Sequence, residues 1–294
     1  MIEKIQEELK SLLAAYSDTR LHLVEIQPTL EGSALRLSGR VLDSDILSAV
    51  AGGLSAAFPA FKVDPAGVQV LRAAANPHLA VATNLTGLHA GPSWLSEQLS
   101  QMVYGAQVEV LFGEGNWVYV RQSDGYLGWT YRPYLGELPQ APDHLVCAPV
   151  LPLLAAPEAG AELVTRLLVA TGVRVLQVRG EWAEVQAYAR GWARLDGLRA
   201  LAGLPLRGEQ ARQQIVADAY RMTGVQYLWG GSSGHGIDCS GLAQAMHRLS
   251  GYTLPRDADM QMDAGRPVEA PYRPGDLVFF GENGERRVIT HVGI

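Results

Sequence analysis

The first 75 residues carry the hydrophobic patterns of two helices and three short strands. Apolar side chains recur every three or four positions over residues 2–16, which predicts a helix with one buried face. Strands are predicted at residues 21–26, 35–42 and 68–71, with a second helix between the last two. The sequence therefore predicts a small α+β domain over residues 1–75.

The order helix, strand, strand, helix, strand in this domain resembles that of a BON-like module. A docking or dimerising role is the simplest interpretation of such a domain. Formation of a homo-oligomer through residues 1–75 is one hypothesis that follows.

A tryptophan-containing repeat follows, built from short apolar runs that Gly, Pro, Asn and Asp interrupt. Two tryptophans recur at offsets of 65 and 63 residues, each in a similar context of glycine and valine. The residues are Trp117 and Trp129 in the first copy, and Trp182 and Trp192 in the second. Most of them are expected to be core residues. The pattern resembles tandem bacterial SH3-like β-barrels, over residues 79–139 and 144–200.

Composition and charge limit the classes of function. Lys and Arg number 24 against 30 Asp and Glu, a net charge of −6, which argues against binding of nucleic acid. No apolar run approaches the roughly 20 residues of a membrane span. The acidic first residues do not resemble a secretion signal, and two distant cysteines offer no disulfide framework, so we expect a cytoplasmic protein.

The residues most capable of chemistry lie in the last 60 positions. Cys239 follows a glycine-rich segment and begins a predicted helix, where unpaired N–H groups and the helix dipole favour a thiolate. His291 lies on a predicted strand, on the same face as Ile289, and is a candidate base. Without further context, an unreactive cysteine and an ordinary histidine are the simpler interpretation. A metal site that adds His235 has no supporting spacing, so neither metal nor cofactor is expected.

Five ordered motifs change this interpretation, because together they closely resemble the NlpC-type family of bacterial cell-wall cysteine peptidases. The motifs are Tyr227-x-Trp229-Gly230-Gly231, Gly236-x-Asp238-Cys239-Ser240-Gly241-Leu242, Leu254-Pro255-Arg256-Asp257, Pro274-Gly275-Asp276-Leu277-Val278-Phe279-Phe280 and Thr290-His291-Val292-Gly293-Ile294. The resemblance implies a papain-like α+β catalytic domain over residues 209–294. The predicted fold class is thus α+β multidomain, with a small N-terminal domain, two SH3-like barrels and a catalytic domain.

The resemblance also implies roles for individual residues. Cys239 matches the nucleophile, His291 the base, and Tyr227 the tyrosine near the thiol and the oxyanion site. Asp238 and Ser240 match residues that shape substrate recognition. The motif residues Arg256 and Asp257 are assigned to the substrate site on the same ground. The other cysteine, Cys147, lacks a comparable helix start and is expected to be a small buried hydrophobe.

The pairing with SH3-like barrels narrows the resemblance to γ-D-glutamyl-L-diamino acid endopeptidases that recycle murein peptides. In those enzymes an acidic residue and a tyrosine of the first barrel, with the aspartate before the cysteine, hold the free amine of an N-terminal L-alanine. Glu97 and Tyr126 occupy the matching places, whereas the second copy has Ala189 where the first has Tyr126. The expected partner is a murein peptide of the L-Ala-γ-D-Glu-L-diamino acid type.

One feature departs from the family pattern. The family has a third polar residue on the strand after the base, and the sequence stops at Ile294, three residues after His291. The catalytic domain is therefore expected to be C-terminally incomplete, or to work with a dyad. The alternative function is a catalytically defective protein that binds murein peptides.

Overall fold

The computed structural model describes residues 1–137, 140–282 and 288–294. Residues 1–75 form one three-stranded sheet with two helices, and the predicted element order is confirmed. The elements are α1 (Ile2–Leu13), β1 (Val24–Glu31), β2 (Ala34–Val41), α2 (Ser44–Ala57) and β3 (Lys62–Val70). Strand β1 begins later than predicted and pairs antiparallel with β2, whereas β3 pairs parallel with β2 across the α2 crossover. The likeness to a BON-like module stays a prediction.

The apolar face of this domain packs against the next part of the same chain. Leu111 and Leu127 belong to the same buried cluster as Ile5 and Leu54, and the Arg40 guanidinium lies 4.5 Å from the centre of the Phe112 ring. The face that could have served dimerisation is therefore used, at least in part, within the chain. The homo-oligomer stays a prediction.

Residues 78–136 and 144–200 form two seven-stranded sheets. The first contains β4 (His78–Val81), β5 (Leu85–His89), β6 (Gln98–Val103), β7 (Gln107–Glu114), β8 (Trp117–Gln122), β9 (Leu127–Tyr131) and β10 (Leu135–Gly136). The second contains β11 (His144–Val146), β12 (Val150–Leu154), β13 (Leu163–Leu168), β14 (Gly172–Arg179), β15 (Trp182–Gln186), β16 (Arg190–Arg194) and β17 (Leu198–Ala200).

The strand order confirms the internal repeat. It is β10-β4-β7-β8-β9-β5-β6 in the first sheet, and the second sheet has the equivalent order β17-β11-β14-β15-β16-β12-β13. Within the described residues no ladder joins the two edge strands of either sheet, so closed barrels are not observed. Of the four repeated tryptophans only Trp192 is fully buried. The other three are half-buried, so the prediction that most are core residues is too strong.

The remaining residues form a small α+β unit. Its elements are α3 (Gly208–Arg221), β18 (Ser232–Ser233), β19 (Gly236–Ile237), α4 (Cys239–Leu249), α5 (Ala258–Ala264), β20 (Val278–Glu282) and β21 (Val288–Gly293). One side of α4 packs on α3 and the second sheet, where Cys147 is buried as predicted. The other side packs on β20 and β21. Part of the predicted turn at residues 281–284 lies outside the described residues.

The glycine-rich segment before α4 is packed against both sheets. A Cβ on Gly230 would collide with the Gln98 carbonyl, and one on Gly234 would collide with the Pro149 carbonyl. The Gln101 side chain accepts hydrogen bonds from the Ser232 N–H at 3.1 Å and the Ser233 hydroxyl at 2.9 Å. The absence of a Cβ at these glycines lets the loop approach the backbone of both sheets closely.

No helix in the described ranges is both long and apolar enough to span a membrane.

Candidate active site

The start of α4 fixes the position of Cys239. The Asp238 side chain caps the helix by accepting a 2.7 Å hydrogen bond from the Gly241 N–H, so Cys239 is the first helical residue. Gly241 has no room for a Cβ, because the Gly231 carbonyl lies against it. The half-buried thiol therefore lies at the positive end of the helix dipole.

Cys239 lines a cavity of about 540 Å³ between the first sheet, the N-terminal domain and the C-terminal unit. The structure brings seven of the nine predicted site residues to its wall. They are Glu97, Tyr126, Tyr227, Asp238, Cys239, Ser240 and Asp257. Among the residues that the structure describes, the wall, with Asp259, includes four carboxylates and the guanidinium of Arg20. This described part of the wall favours a cationic ligand.

Arg256 lies behind the wall and holds Asp238 in place. The Arg256 guanidinium is 2% exposed and makes a two-pronged ion pair with the Asp238 carboxylate, at 2.6 and 3.1 Å. It also donates to the Ser240 hydroxyl at 2.8 Å and, across to β6, to the Ser100 hydroxyl at 2.9 Å. This buried network locks the start of α4 to the first sheet.

The Asp238 carboxylate has little capacity left to accept hydrogen bonds from a substrate. Besides Arg256, its oxygens accept from the N–H groups of Gly230 and Gly241 and from the Ser240 hydroxyl. Five hydrogen bonds fill the roughly four lone-pair positions of a carboxylate. The geometry therefore fits Asp238 and Ser240 as a support for Cys239 better than as direct ligands of a substrate amine.

Tyr126 and Asp257 form a second hydrogen-bonded pair in the wall. The Tyr126 hydroxyl donates to the Asp257 Oδ2 at 2.9 Å. Burial, together with the negative charge of Asp257, raises the pKa of Tyr126, so the hydroxyl keeps its proton. Since that proton is directed to Asp257, the phenolic oxygen presents lone pairs that can accept a hydrogen bond.

Glu97 is held by a residue of the glycine-rich segment. The indole N–H of Trp229 donates to Glu97 Oε1 at 2.9 Å, and the Gln98 side chain donates to the Trp229 carbonyl at 3.2 Å. Glu97 is exposed and retains more acceptor capacity than Asp238. It is thus the wall carboxylate best suited to meet a positively charged group.

Tyr227 stands at the mouth of the cavity, with 62% of its surface exposed. A parallel β-bridge to Ile237 sets it beside the residue that precedes Asp238. Partial desolvation, followed by the charges of Cys239 and Asp238, raises the pKa of Tyr227. Its hydroxyl is therefore a proton donor at neutral pH.

His291 is not brought to the cavity. Strand β21 has a bulge, because Phe280 pairs with His291 while the next residue, Gly281, pairs with Ile289. The extra residue, Thr290, lines the cavity; Ile289 and Val292 pack in the cluster beside Cys239. His291 is exposed, with its ring 5.7 Å from that of Phe280. The prediction that Ile289 and His291 share a face is wrong, since the bulge interrupts the alternation.

Among the wall residues without a predicted role, three belong to its network of carboxylates. Trp229 was part of a motif without an assigned role, and its indole anchors Glu97. Arg20 and Asp259 carried no signal, since an Arg–Asp contact 239 residues apart in sequence is visible only after folding. In the described part of the chain, no three or more His, Cys, Asp or Glu side chains are grouped to hold a metal ion.

Comparison with known proteins identifies the class. Residues 224–294 match the NlpC/P60 family, and residues 84–136 match the bacterial SH3 domain. The chain thus carries an NlpC/P60 domain together with a bacterial SH3 domain, as the motifs predicted. A solved NlpC/P60 family protein from Bacillus cereus has a similar fold, with a TM-score of 0.64 at 20% identity over 74% of this chain and 87% of its own.

Two curated relatives are named gamma-D-glutamyl-L-lysine dipeptidyl-peptidase. The Bacillus subtilis protein is 40% identical over 83 residues, which cover 28% of this chain and 28% of the relative. The Bacillus cereus protein is 28% identical over 222 residues, which cover 66% of this chain and 63% of the relative. Both matches span less than two thirds of the relatives' own length.

Proposed function

We propose that this protein is a cysteine peptidase that hydrolyses the γ-D-glutamyl to L-diamino acid amide bond of murein peptides with a free N-terminal L-alanine. One observation carries the proposal: the half-buried thiol of Cys239 lies at a helix start in the same acidic cavity as Glu97 and the Tyr126–Asp257 pair. The names of the two Bacillus relatives support the substrate class. The second seven-stranded sheet is proposed to be another SH3-like module.

The cavity offers a chemical basis for recognising the free amine. The ammonium group of the alanine could donate hydrogen bonds to the Glu97 carboxylate and to the phenolic oxygen of Tyr126, which lie in the same wall. An N-acetylated peptide carries no charge there, so it would lack the charge-assisted hydrogen bond to Glu97. Selectivity of this kind suits peptide fragments rather than intact wall, so we place the activity in cytoplasmic recycling of murein peptides.

The proposed reaction starts with attack of the Cys239 thiolate on the amide carbonyl carbon. The C–N bond breaks, and the departing amine takes from His291 the proton that His291 received from the Cys239 thiol. Water then hydrolyses the thioester, which releases the carboxylic acid and regenerates the thiol. This role requires His291 to leave its exposed position beside Phe280. Since the structure has it facing away from the cavity, a second candidate function is a protein that binds the peptide without cleaving it.

Turnover and binding of the tripeptide L-Ala-γ-D-Glu-L-Lys separate the two functions. A peptidase releases L-Lys, detectable by mass spectrometry, and loses this activity on Cys239→Ala and His291→Ala. The matched control is Cys147→Ala, since Cys147 is buried away from the cavity. A binding protein gives a calorimetric signal without product, unchanged in Cys239→Ala. If the protein neither released product nor bound the peptide, both functions would be refuted.

Recognition of the amine is tested with Glu97→Gln and Tyr126→Phe. Each should lower kcat/KM for the free-amine peptide by about tenfold or more, the value of a hydrogen bond to a charged group. The N-acetylated peptide should be affected much less. Equal losses on both peptides would contradict the proposed amine site.

A further inference from the structure

Arg20 joins the N-terminal domain to the cavity wall. It lies between α1 and β1, and its guanidinium lines the cavity beside the Tyr126–Asp257 pair. Its side chain contacts three carboxylates at once. The Nε and Nη2 groups donate to Asp18 at 2.9 and 2.8 Å, Nη1 donates to Asp257 at 2.9 Å, and Nη1 and Nη2 donate to Asp259 at 2.9 and 2.7 Å.

These contacts use the whole donor capacity of the side chain. A guanidinium has five N–H groups, and five hydrogen bonds to carboxylates leave none for a substrate. Arg20 therefore does not act as a direct ligand. Its influence on a substrate passes through the carboxylates that it holds.

The most consequential of these carboxylates is Asp257. Its Oδ2 accepts from both Arg20 and the Tyr126 hydroxyl, each at 2.9 Å. Asp257 also precedes α5 as its N-cap residue, and Asp259 lies in the first turn. Arg20 thus pairs with both acidic residues at the start of this helix and reduces the repulsion between them.

A backbone contact fixes Arg20 itself. Its carbonyl accepts a 2.8 Å hydrogen bond from the Leu127 N–H, one residue after Tyr126. The same residue therefore binds the start of β9, next to Tyr126, through its backbone, and Asp257, which precedes α5, through its side chain. The distance between the two halves of the pair depends on the N-terminal domain.

We infer that the N-terminal domain is a structural part of the substrate site, with Arg20 as the positioning residue of the Tyr126–Asp257 pair. The inference rests on the proposed function for its substrate. It assigns to residues 1–75 a role in selecting peptides with a free amine, beyond docking.

The first test compares Arg20→Gln with Arg36→Gln in the full-length chain. Arg36 pairs with Glu31 on the exposed surface of the same domain, so it is a matched control. We expect Arg20→Gln to reduce kcat/KM for L-Ala-γ-D-Glu-L-Lys by about tenfold, mainly through KM, and to spare the N-acetylated peptide. Arg36→Gln should match the wild type. Unchanged selectivity in Arg20→Gln would overturn the inference.

A double-mutant cycle with Tyr126→Phe tests the route of the effect. If Arg20 acts through the pair, Arg20→Gln should cost much less selectivity in the Tyr126→Phe background than in the wild type. Additive losses would show that Arg20 acts elsewhere. Arg20→Lys, which keeps the charge without the five-donor geometry, should fall between wild type and Arg20→Gln.

A measurement without substrate separates this inference from the proposed function. Hydrogen exchange of the backbone amides of α5 should become faster in Arg20→Gln and stay unchanged in Arg36→Gln. Unchanged exchange at α5 would refute the positioning role even if the protein is active. A wild type that neither binds nor cleaves the peptide would refute the proposed function, while faster exchange at α5 would still support the positioning of the pair.

Discussion

Loss of Arg256 should destabilise the protein strongly. In Arg256→Met the buried Asp238 carboxylate loses its only ion-pair partner among the described residues, together with two of its five hydrogen bonds. The Ser240 and Ser100 hydroxyls lose a donor as well. Removing one partner of a buried ion pair costs about 3 to 5 kcal/mol, because the other charge stays buried without compensation.

The free energy of unfolding, measured by urea titration, provides the assay. A cycle with Asp238→Asn isolates the pair: the double variant buries no uncompensated charge, so it should be more stable than the sum of the single losses predicts, by about 1 to 3 kcal/mol. Thiol alkylation at Cys239 gives an independent readout, since α4 loses its fixed start.

The control is Arg36→Met, which removes an exposed ion pair with Glu31. An exposed pair contributes less than about 1 kcal/mol, so this variant should unfold close to the wild type. If Arg256→Met cost no more than Arg36→Met, or if the cycle were additive within about 0.5 kcal/mol, the network would not carry the stability assigned to it.

Two further predictions concern stability. The hydrogen bonds from Arg20 lower the pKa of Asp18 and Asp259 below the ordinary value of 3.8. The contribution of these two carboxylates to the free energy of unfolding is therefore present above that pH, and it is lost as the pH falls through the lowered pKa values. Unfolding free energy should therefore depend less on pH in Arg20→Gln than in wild type between about pH 5 and pH 2; equal slopes would contradict this. Exposed Gly52 in α2 has room for a Cβ, so Gly52→Ala should raise the unfolding free energy by about 0.5 to 1 kcal/mol. Gly53→Ala should gain less, because its Cβ would press on the Leu12 side chain, and equal gains would argue against this reasoning.

Local patterns predicted the elements that carry the site. The recurrence of Trp117 as Trp182 identified two sheets of equivalent strand order, and both tryptophans open equivalent strands. The glycine-rich segment before Cys239 predicted a helix start at this residue, and α4 begins there, capped by the Asp238 side chain. These features depend on residues close together in sequence.

The remaining features depend on contacts that local patterns do not encode. The bulge at Thr290 places Ile289 and His291 on different faces, although strict alternation would place both on one face. The Asp238 carboxylate accepts two hydrogen bonds from Arg256, which lies 18 residues away in sequence. Both outcomes depend on how strands and loops contact each other in the folded chain. The sequence therefore predicted which residues are candidates for the site, but not which of their atoms are already hydrogen-bonded.

The contact between Arg20 and Asp259 spans 239 residues, most of the chain. During synthesis from the N-terminus, residues 1–75 emerge well before their partner in α5, so this wall of the cavity can close only after the C-terminal unit has been made. Cys239 emerges before α5 does. Under the proposed function, a nascent chain therefore exposes the Cys239 thiol before the wall that would select the peptide is complete.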